Sequence, residues 1–251
     1  MVRIKIHNLE NSAQKRLFVH VFSSPNMIYK QKNTEFEKEG STTYGNMGIR
    51  WKYSPYGKLA VINDGKRRGY HICNTCGVGK NLVKKGNKTS HTPAWGSACS
   101  GTFEHYNLGH EFMSDVIELS FRNLPTRIQD NADGFWNSFL YGILDGASSV
   151  LGIDRKDIDG TIYYKDNQNP SLIIFDSVPG GAGYTKEISE HFQGVPDKTL
   201  SRLKNCTCGE ETSCYGCLKN YSKQYCYDSL SRGIVVDVLE MVRESTKKNT
   251  N

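Results

Sequence analysis

Four cysteines, Cys206, Cys208, Cys214 and Cys217, stand in the run C-T-C-G-E-E-T-S-C-Y-G-C, as two short chelate pairs separated by a loop. Zinc takes four soft ligands in a tetrahedron, with sulfur at about 2.3 Å, and two such bites supply them. Four thiolates leave no open coordination position, so the expected chemistry is structural rather than catalytic. The C-x-C bite calls for an extended segment. The C-x-x-C bite suits a helix start, where the amide dipole favours thiolate. The alternative for the same residues is a set of buried or redox cysteines.

A second cluster lies upstream. H-I-C-N-T-C-G begins at His71, and H-T-P-A-W-G-S-A-C runs from His91 to Cys99. Cys73 and Cys76, followed by Gly77, form a zinc-ribbon-like knuckle in which the glycine lets backbone amides turn toward the thiolates. Cys99 is the natural third ligand. His91 is the first choice for the fourth, because it precedes Cys99 inside one small loop, and His71 and His105 compete with it. Seven of the eight cysteines fall in these two clusters. In a reducing compartment, that clustering favours metal over disulfides. Cys226 is left over as a plain thiol.

F-D-S-V-P-G-G-A-G-Y-T, from Phe175, offers a different chemistry. A glycine-rich turn between a strand and a helix can cradle phosphate on its amides. Its glycine spacing matches neither the Walker nor the dinucleotide pattern, and a tight strand-to-helix turn is the favoured reading. Asp176 is either a general base or metal ligand, or the cap of the loop it precedes. A nuclease or phosphate-handling site would use Asp176 with the Pro179–Gly183 loop, aided by Asp115, Glu118 or His110. No G-x-S-x-G, H-E-x-x-H or zinc-deaminase signature is present, and Gly79-Lys80 is no P-loop. The chain should therefore not hydrolyse ATP.

The net charge of +6 is uneven. Nine basic residues between Lys52 and Lys88 face one acid, Asp64, which is +8 locally and leaves −2 elsewhere. Such a segment points to a polyanion. Lys66, Arg67, Arg68, Lys84 and Lys85 are its candidate phosphate contacts. Tyr53, Tyr56 and Tyr70, with Trp51 just upstream, would stack unpaired bases. A solvated hairpin face with its aromatics turned to the core reads the same residues equally well.

Several elements must position these groups. At 251 residues the chain can bury one large core or two small ones. Alternation over Val2, Ile4 and Ile6, and over Leu17, Val19 and Val21, predicts strands. Residues 59–62, 70–72 and 110–121 read likewise, the last as a long strand. Asp133 is the expected N-cap of a helix carrying Phe135, Trp136, Phe139, Leu140, Ile143 and Leu144, and Gly152 its stop. Strands near 160–165 and 171–176 follow, then helices over 180–192, 197–204, 214–225 and 228–245. No run approaches the roughly 20 apolar residues of a membrane helix. The N-terminus has no secretory h-region, so a cytoplasmic protein is expected.

With these residues in place, F-D-S-V-P-G-G-A-G-Y, C-x-C…C-Y-x-C-L-x-x-Y and a closing L-x-R-G resemble the MrfA-type zinc-binding domain. That domain is found at the C-terminus of certain superfamily 2 DEAD/DEAH-box helicases and in DrmB-like proteins of DISARM anti-phage systems. I-C-x-x-C-G and L-G-H-E-F-M-S-D-V-I-E-L extend the resemblance over about 70–240. It implies zinc at Cys206, Cys208, Cys214 and Cys217. The family tends to show Asn-Gln, then a histidine, then Asp-Arg. Here Lys223 precedes Gln224, Tyr227 stands near the histidine position and Ser231 precedes Arg232. No helicase motor accompanies the motifs, which implies a stand-alone subunit or an excised C-terminal portion.

The expectation is an α+β protein. A strand-rich, basic lobe over 1–125 carries the zinc knuckle, an α/β lobe over 126–246 holds the four-cysteine zinc site, and 247–251 form a disordered tail. The expected function is a non-catalytic accessory module, binding DNA or docking a helicase motor in DNA repair or anti-phage defence. A metal-dependent nuclease and a protein–protein adaptor are the rivals.

Overall fold

A computed structural model describes residues 2–4, 17–18, 26–30, 36–63, 69–80, 90–94, 96–125, 128, 132–164 and 169–248. In chain order the strands and helices are β1 (Val2–Ile4), β2 (Leu17–Phe18), β3 (Asn26–Lys30), β4 (Lys38–Tyr44), β5 (Met47–Asn63), β6 (Tyr70–Cys73), β7 (Gly79–Lys80), β8 (Phe103–Arg122), α1 (Ala132–Leu151), β9 (Ile158–Tyr163), β10 (Ser171–Asp176), α2 (Tyr184–His191), α3 (Val195–Lys204) and α4 (Arg232–Lys248). The architecture is mixed, with strands concentrated toward the N-terminus and helices toward the C-terminus, and two cysteine-containing clusters able to hold zinc.

The chain divides into two compact units, residues 1–30 with 59–111, and residues 31–58 with 112–251. The strand-rich N-terminal portion of the chain is shared between the units, because pairing between residues distant in sequence groups the strands.

In the first unit, β6 pairs antiparallel with β7 and with the start of β8, matching Cys73 to Phe103 and His71 to His105. β1 pairs with β8 around Leu108, and β2 with β3. The alternating positions at Ile6, Val19 and Val21 lie outside the described residues, as do residues 64–68 and 81–89.

In the second unit, β4 and β5 form a hairpin closed at Tyr44 and Met47. β10 lies between β8 and β9, antiparallel to both, with Ile174 opposite Ile117 and Gly160. All six residues of β10 are buried, so both of its faces are covered. Leu172 and Ile174 join the core that α1 fills with Phe135, Phe139, Leu140 and Leu144. Phe175, alternating to the other face, meets Phe112 edge-on at 6.3 Å.

Helix α1 is buried along nearly its whole length. Gly142 and Gly146, one turn apart, let α3 approach closely: a Cβ on Gly146 would stand 2.1 Å from Thr199 Oγ1. Asp145 takes both Nε and Nη2 of Arg202 across the same contact. The helix begins at Ala132, so Asp133 sits inside its first turn rather than at its N-cap. It ends at Leu151, and Gly152 follows at φ +68, a left-handed stop.

Helix α4 starts at Arg232 instead of 228 and runs to Lys248, so the expected tail begins inside it. Residues 214–225 are not an α-helix. They form a turn followed by 3-10 turns over Tyr221–Ser229. Among the described residues no helix is long and apolar enough to cross a membrane.

Candidate metal centres

The downstream cluster hangs between α3 and α4. Helix α3 stops at Lys204, and beyond Asn205 the chain runs on as an irregular loop that carries Cys206 and Cys208 two positions apart. Cys214 and Cys217 close the other side in a tight turn rather than a helix start. The amides of Cys217, Leu218 and Lys219 all converge on the Cys214 carbonyl at 3.1, 3.2 and 3.0 Å.

Sγ separations are 3.5 Å for Cys206–Cys208 and Cys206–Cys214, 3.7 Å for Cys208–Cys217 and 3.8 Å for Cys214–Cys217. A tetrahedron with a centre-to-sulfur distance of about 2.3 Å has an edge near ~3.8 Å. The four sulfurs therefore fit one zinc ion with little adjustment. Amide donors support the cluster: Cys214 N–H reaches Cys217 Sγ at 3.2 Å, and Gly216 N–H reaches Cys214 Sγ at 3.3 Å.

Their titration tells the same story. The Cys208 amide, ahead of the neighbouring thiols, lowers the Cys206 thiol to about 7. Burial pushes Cys208 and Cys217 upward. One thiolate forms readily, and a second beside it is opposed. A divalent cation removes that opposition, because a coordinated thiol gives up its proton.

A residue whose role the sequence did not disclose completes this centre. Arg232, at the start of α4, is 9% exposed. Its Nε and Nη2 donate to the Cys208 carbonyl at 2.9 and 2.7 Å, and Nη1 donates to the Leu203 carbonyl at 3.1 Å. The amides of Arg232 and Gly233 donate to the carbonyls of Thr212 and Glu210. The ligand loop is thus wired to two helices by hydrogen bonds that do not pass through the metal. The R-G of the closing motif was the visible signal, but only folding shows which carbonyls it serves.

Partners one shell out from a metal tune its affinity by about 10- to 100-fold. Arg232→Met should lose zinc to a competing chelator about that much more readily. Arg232→Lys should recover only part of the affinity, since one amine cannot span the two carbonyls. Unchanged chelator competition in both variants would remove Arg232 from the centre.

The upstream cluster lies wholly in the first unit. Cys73, Cys76, His91 and Cys99 offer ligand atoms that all fall within 4.8 Å of one another. Cys76 Sγ is 3.0 Å from His91 Nε2, and Cys73 Sγ is 3.8 Å from Cys99 Sγ. His91 and Cys99 exchange two backbone hydrogen bonds of 3.0 and 2.7 Å, a small antiparallel bridge that holds both ligands. Gly77 takes φ +77 and donates to the Cys73 carbonyl, closing the knuckle. At Cys73, burial raises the thiol, but the amides of Cys76 and Thr75 outweigh it and bring it down to about 6. His71 and His105 stand outside this group, edge to face with each other at 5.3 Å.

The glycine-rich turn is an anchor, not a cradle. Gly180, Gly181 and Gly183 take φ of +91, +78 and +84, which few other residues tolerate. Every amide from 180 to 185 is already bound within the protein. Gly180 donates to the Met113 carbonyl and Gly181 to that of Val178. Gly183 donates to the Asp115 carboxylate, and Ala182, Tyr184 and Thr185 donate to that of Asp176. No backbone amide in that stretch is left for a phosphate. Asp176, fully buried, caps the turn and the start of α2. Asp115 sits beside it, its carboxyl raised first by burial and then by the Asp176 charge.

The candidate phosphate contacts Lys66, Arg67, Arg68, Lys84 and Lys85 lie outside the described residues. Of the aromatics read with them, Tyr53 is buried and Trp51 packs partly against the core, whereas Tyr56 is exposed. Cys226 lies apart from both clusters, buried, with Sγ 3.8 Å from the Tyr141 hydroxyl.

Comparison with known proteins falls on the downstream centre. Residues 139–218 match the family model of the MrfA Zn-binding domain, a segment that includes all four cysteines from Cys206 to Cys217. The Druantia protein DruE of Escherichia coli (strain UMEA 4076-1) is 24% identical over 210 residues, covering 72% of this chain and 11% of DruE. Among solved structures, the DUF1998 helicase MrfA bound to DNA aligns over 86% of this chain and 25% of its own, at 12% identity and a TM-score of 0.49. A further crystal structure of the DUF1998 helicase MrfA aligns over 84% of this chain and 23% of its own, at 13% identity and a TM-score of 0.37. This chain spans about a tenth of the length of the curated relative and about a quarter of each helicase chain.

Proposed function

Taking residues 139–218 as an MrfA-type zinc-binding domain, we propose that this chain is a non-catalytic zinc module serving a helicase, and that it binds DNA or docks its partner in DNA repair or anti-phage defence. The observation that carries this is the closed four-thiolate cluster inside the matched segment. Four sulfurs leave no position for a substrate, so the ion holds the fold rather than performing a reaction. The match to a domain named for a helicase supports the helicase setting, and the likeness to a Druantia protein supports the defence role. Two thiol-rich zinc centres suit the reducing cytoplasm. Cys206, Cys208, Cys214 and Cys217 bind one ion, and Cys73, Cys76, Cys99 and His91 bind the other.

DNA contact rests on the basic segment. Lys66, Arg67, Arg68, Lys84 and Lys85 would each neutralise a phosphate and release a counterion, which makes affinity fall steeply with salt. The purified chain should contain two zinc ions by elemental analysis. Its DNA affinity should decline with salt, on a slope that flattens when these five residues are neutralised. Absence of stoichiometric metal would overturn the module. Metal without any DNA affinity would leave the adaptor role.

A further inference from the structure

Beside the downstream metal centre lies a group of tyrosines, of which Tyr227 packs against the core and Tyr215 and Tyr221 are left open. Tyr215 sits between the ligands Cys214 and Cys217, and its side chain is 65% exposed by residue; Tyr221 follows at 78%. Tyr227 backs them. Its ring meets that of Tyr215 edge-on at 5.9 Å, the two hydroxyls are 3.2 Å apart, and its own proton goes to the Asn220 carbonyl at 2.7 Å. Lys219 Nζ stands 5.1 Å from the centre of the Tyr227 ring.

Large rings are seldom left so open without use, since each carries much of the apolar area a protein buries. The Tyr215 ring is also held in place. The backbone of Tyr215 belongs to the ligand turn, and Tyr227 pins its hydroxyl. From Cys206 to Ser229 the sequence holds two lysines and three acids, Glu210, Glu211 and Asp228. Lys223 is turned to Asp159 at 2.9 Å, which leaves Lys219 as the cation of this surface.

The chemistry selects the occupant. Between Cys206 and Ser229 the large exposed apolar side chains among the described residues are tyrosines, with no exposed Leu, Ile, Val or Met. A surface built to bury a protein partner's aliphatic side chains would present aliphatics of its own. This one presents ring faces, with one ammonium group nearby. Unpaired nucleobases match it, because every base has a face to stack and polar edges to bond. A base-paired duplex does not, because its faces are already stacked on one another.

We propose that Tyr215 and Tyr221, backed by Tyr227 and Lys219, form a stacking platform for single-stranded nucleic acid. The proposal rests on the DNA-binding reading above and gives it a strand form and a further set of residues. Stacking rather than charge supplies its affinity, so it should contribute little to salt dependence.

The test uses the full, zinc-loaded chain, with fluorescence anisotropy on a short oligothymidylate and on a blunt duplex of equal length, across a range of salt. The double variant Tyr215→Ala/Tyr221→Ala should bind the single strand about tenfold or more weakly, with its salt slope and its duplex affinity unchanged. Tyr221→Phe, which keeps the ring, should bind as the parent does. Zinc content measured on the same samples confirms that the ligand turn is intact. Undiminished single-strand affinity in the double alanine variant overturns the platform while DNA binding by the basic segment stands. Equal losses on both DNA forms overturn it as well. A parent chain that binds neither form overturns the platform and the DNA reading together.

Discussion

Cys214→Ser should cost the chain one of its zinc ions and lower its melting temperature by about 10 °C or more. Cys214 provides one corner of the four-sulfur cluster and more. Its carbonyl gathers the amides of Cys217, Leu218 and Lys219, and its sulfur accepts from Gly216. Serine is a poor zinc ligand at neutral pH, because its hydroxyl does not ionise as a thiol does. Structural zinc in small domains contributes on the order of 10–16 kcal/mol of binding energy to folding. Loss of even about 4 kcal/mol in a unit of this size corresponds to roughly 8–16 °C. The loop from Cys206 to Cys217 joins α3 to the start of α4, so the effect should spread beyond the site. Helical signal and core fluorescence from Trp136 should melt together at the lower temperature. Cys226→Ser is the matching control. It removes a buried thiol outside both clusters, and the variant should keep two zinc ions. A Cys214→Ser protein with unchanged metal content and melting temperature would refute the structural role of the ion.

The second large effect is expected at Asp176, and it is also a loss of stability. Its two oxygens accept from the amides of Ala182, Tyr184 and Thr185 at 2.6, 3.1 and 2.8 Å, in a fully buried place. Asp176→Ala takes the acceptor from three amides, that of Thr185 buried and those of Ala182 and Tyr184 partly buried. One unsatisfied buried group costs about 1–3 kcal/mol, and bonds to an ionised acceptor are stronger than average. A combined loss of roughly 3–6 kcal/mol is expected, read as a lower denaturant midpoint. Asp176→Asn should not rescue it. One oxygen would remain, but the new NH2 would face amides that are themselves donors. The measurement also separates the enzyme reading from the structural one. A nuclease with Asp176 in its centre predicts a variant that stays folded and loses turnover. The observed hydrogen bonds predict a variant that loses stability.

Much of the chemistry was legible before any fold was known. Chelate spacing is a local property. Cys206 with Cys208, Cys214 with Cys217, and Cys73 with Cys76 lie within three residues of each other, so chain geometry alone brings each pair within a metal's reach. The same holds for the long apolar pattern of α1 and for strand β10, where periodicity and composition speak directly. The reading failed where local signals competed. The 214–225 stretch has helical composition, yet the ligand turn and the tyrosine group hold it in tight turns. Asp133 resembles a cap, but the helix starts one residue earlier.

What the amino-acid order determined by itself was which atoms lie close because the chain is short between them: three pairs of thiols, a knuckle glycine, a turn too rich in glycine to be anything but tight. What only the tertiary structure decided was which distant groups complete them. The Arg232 guanidinium reaches carbonyls 24 and 29 residues upstream, and Gly183 finds its acceptor on Asp115, 68 residues away. Such pairings depend on how strands register and helices cross, and those are settled by burial of the whole core. No short window of sequence contains that information, because the free energy that selects the pairing is summed over all of it.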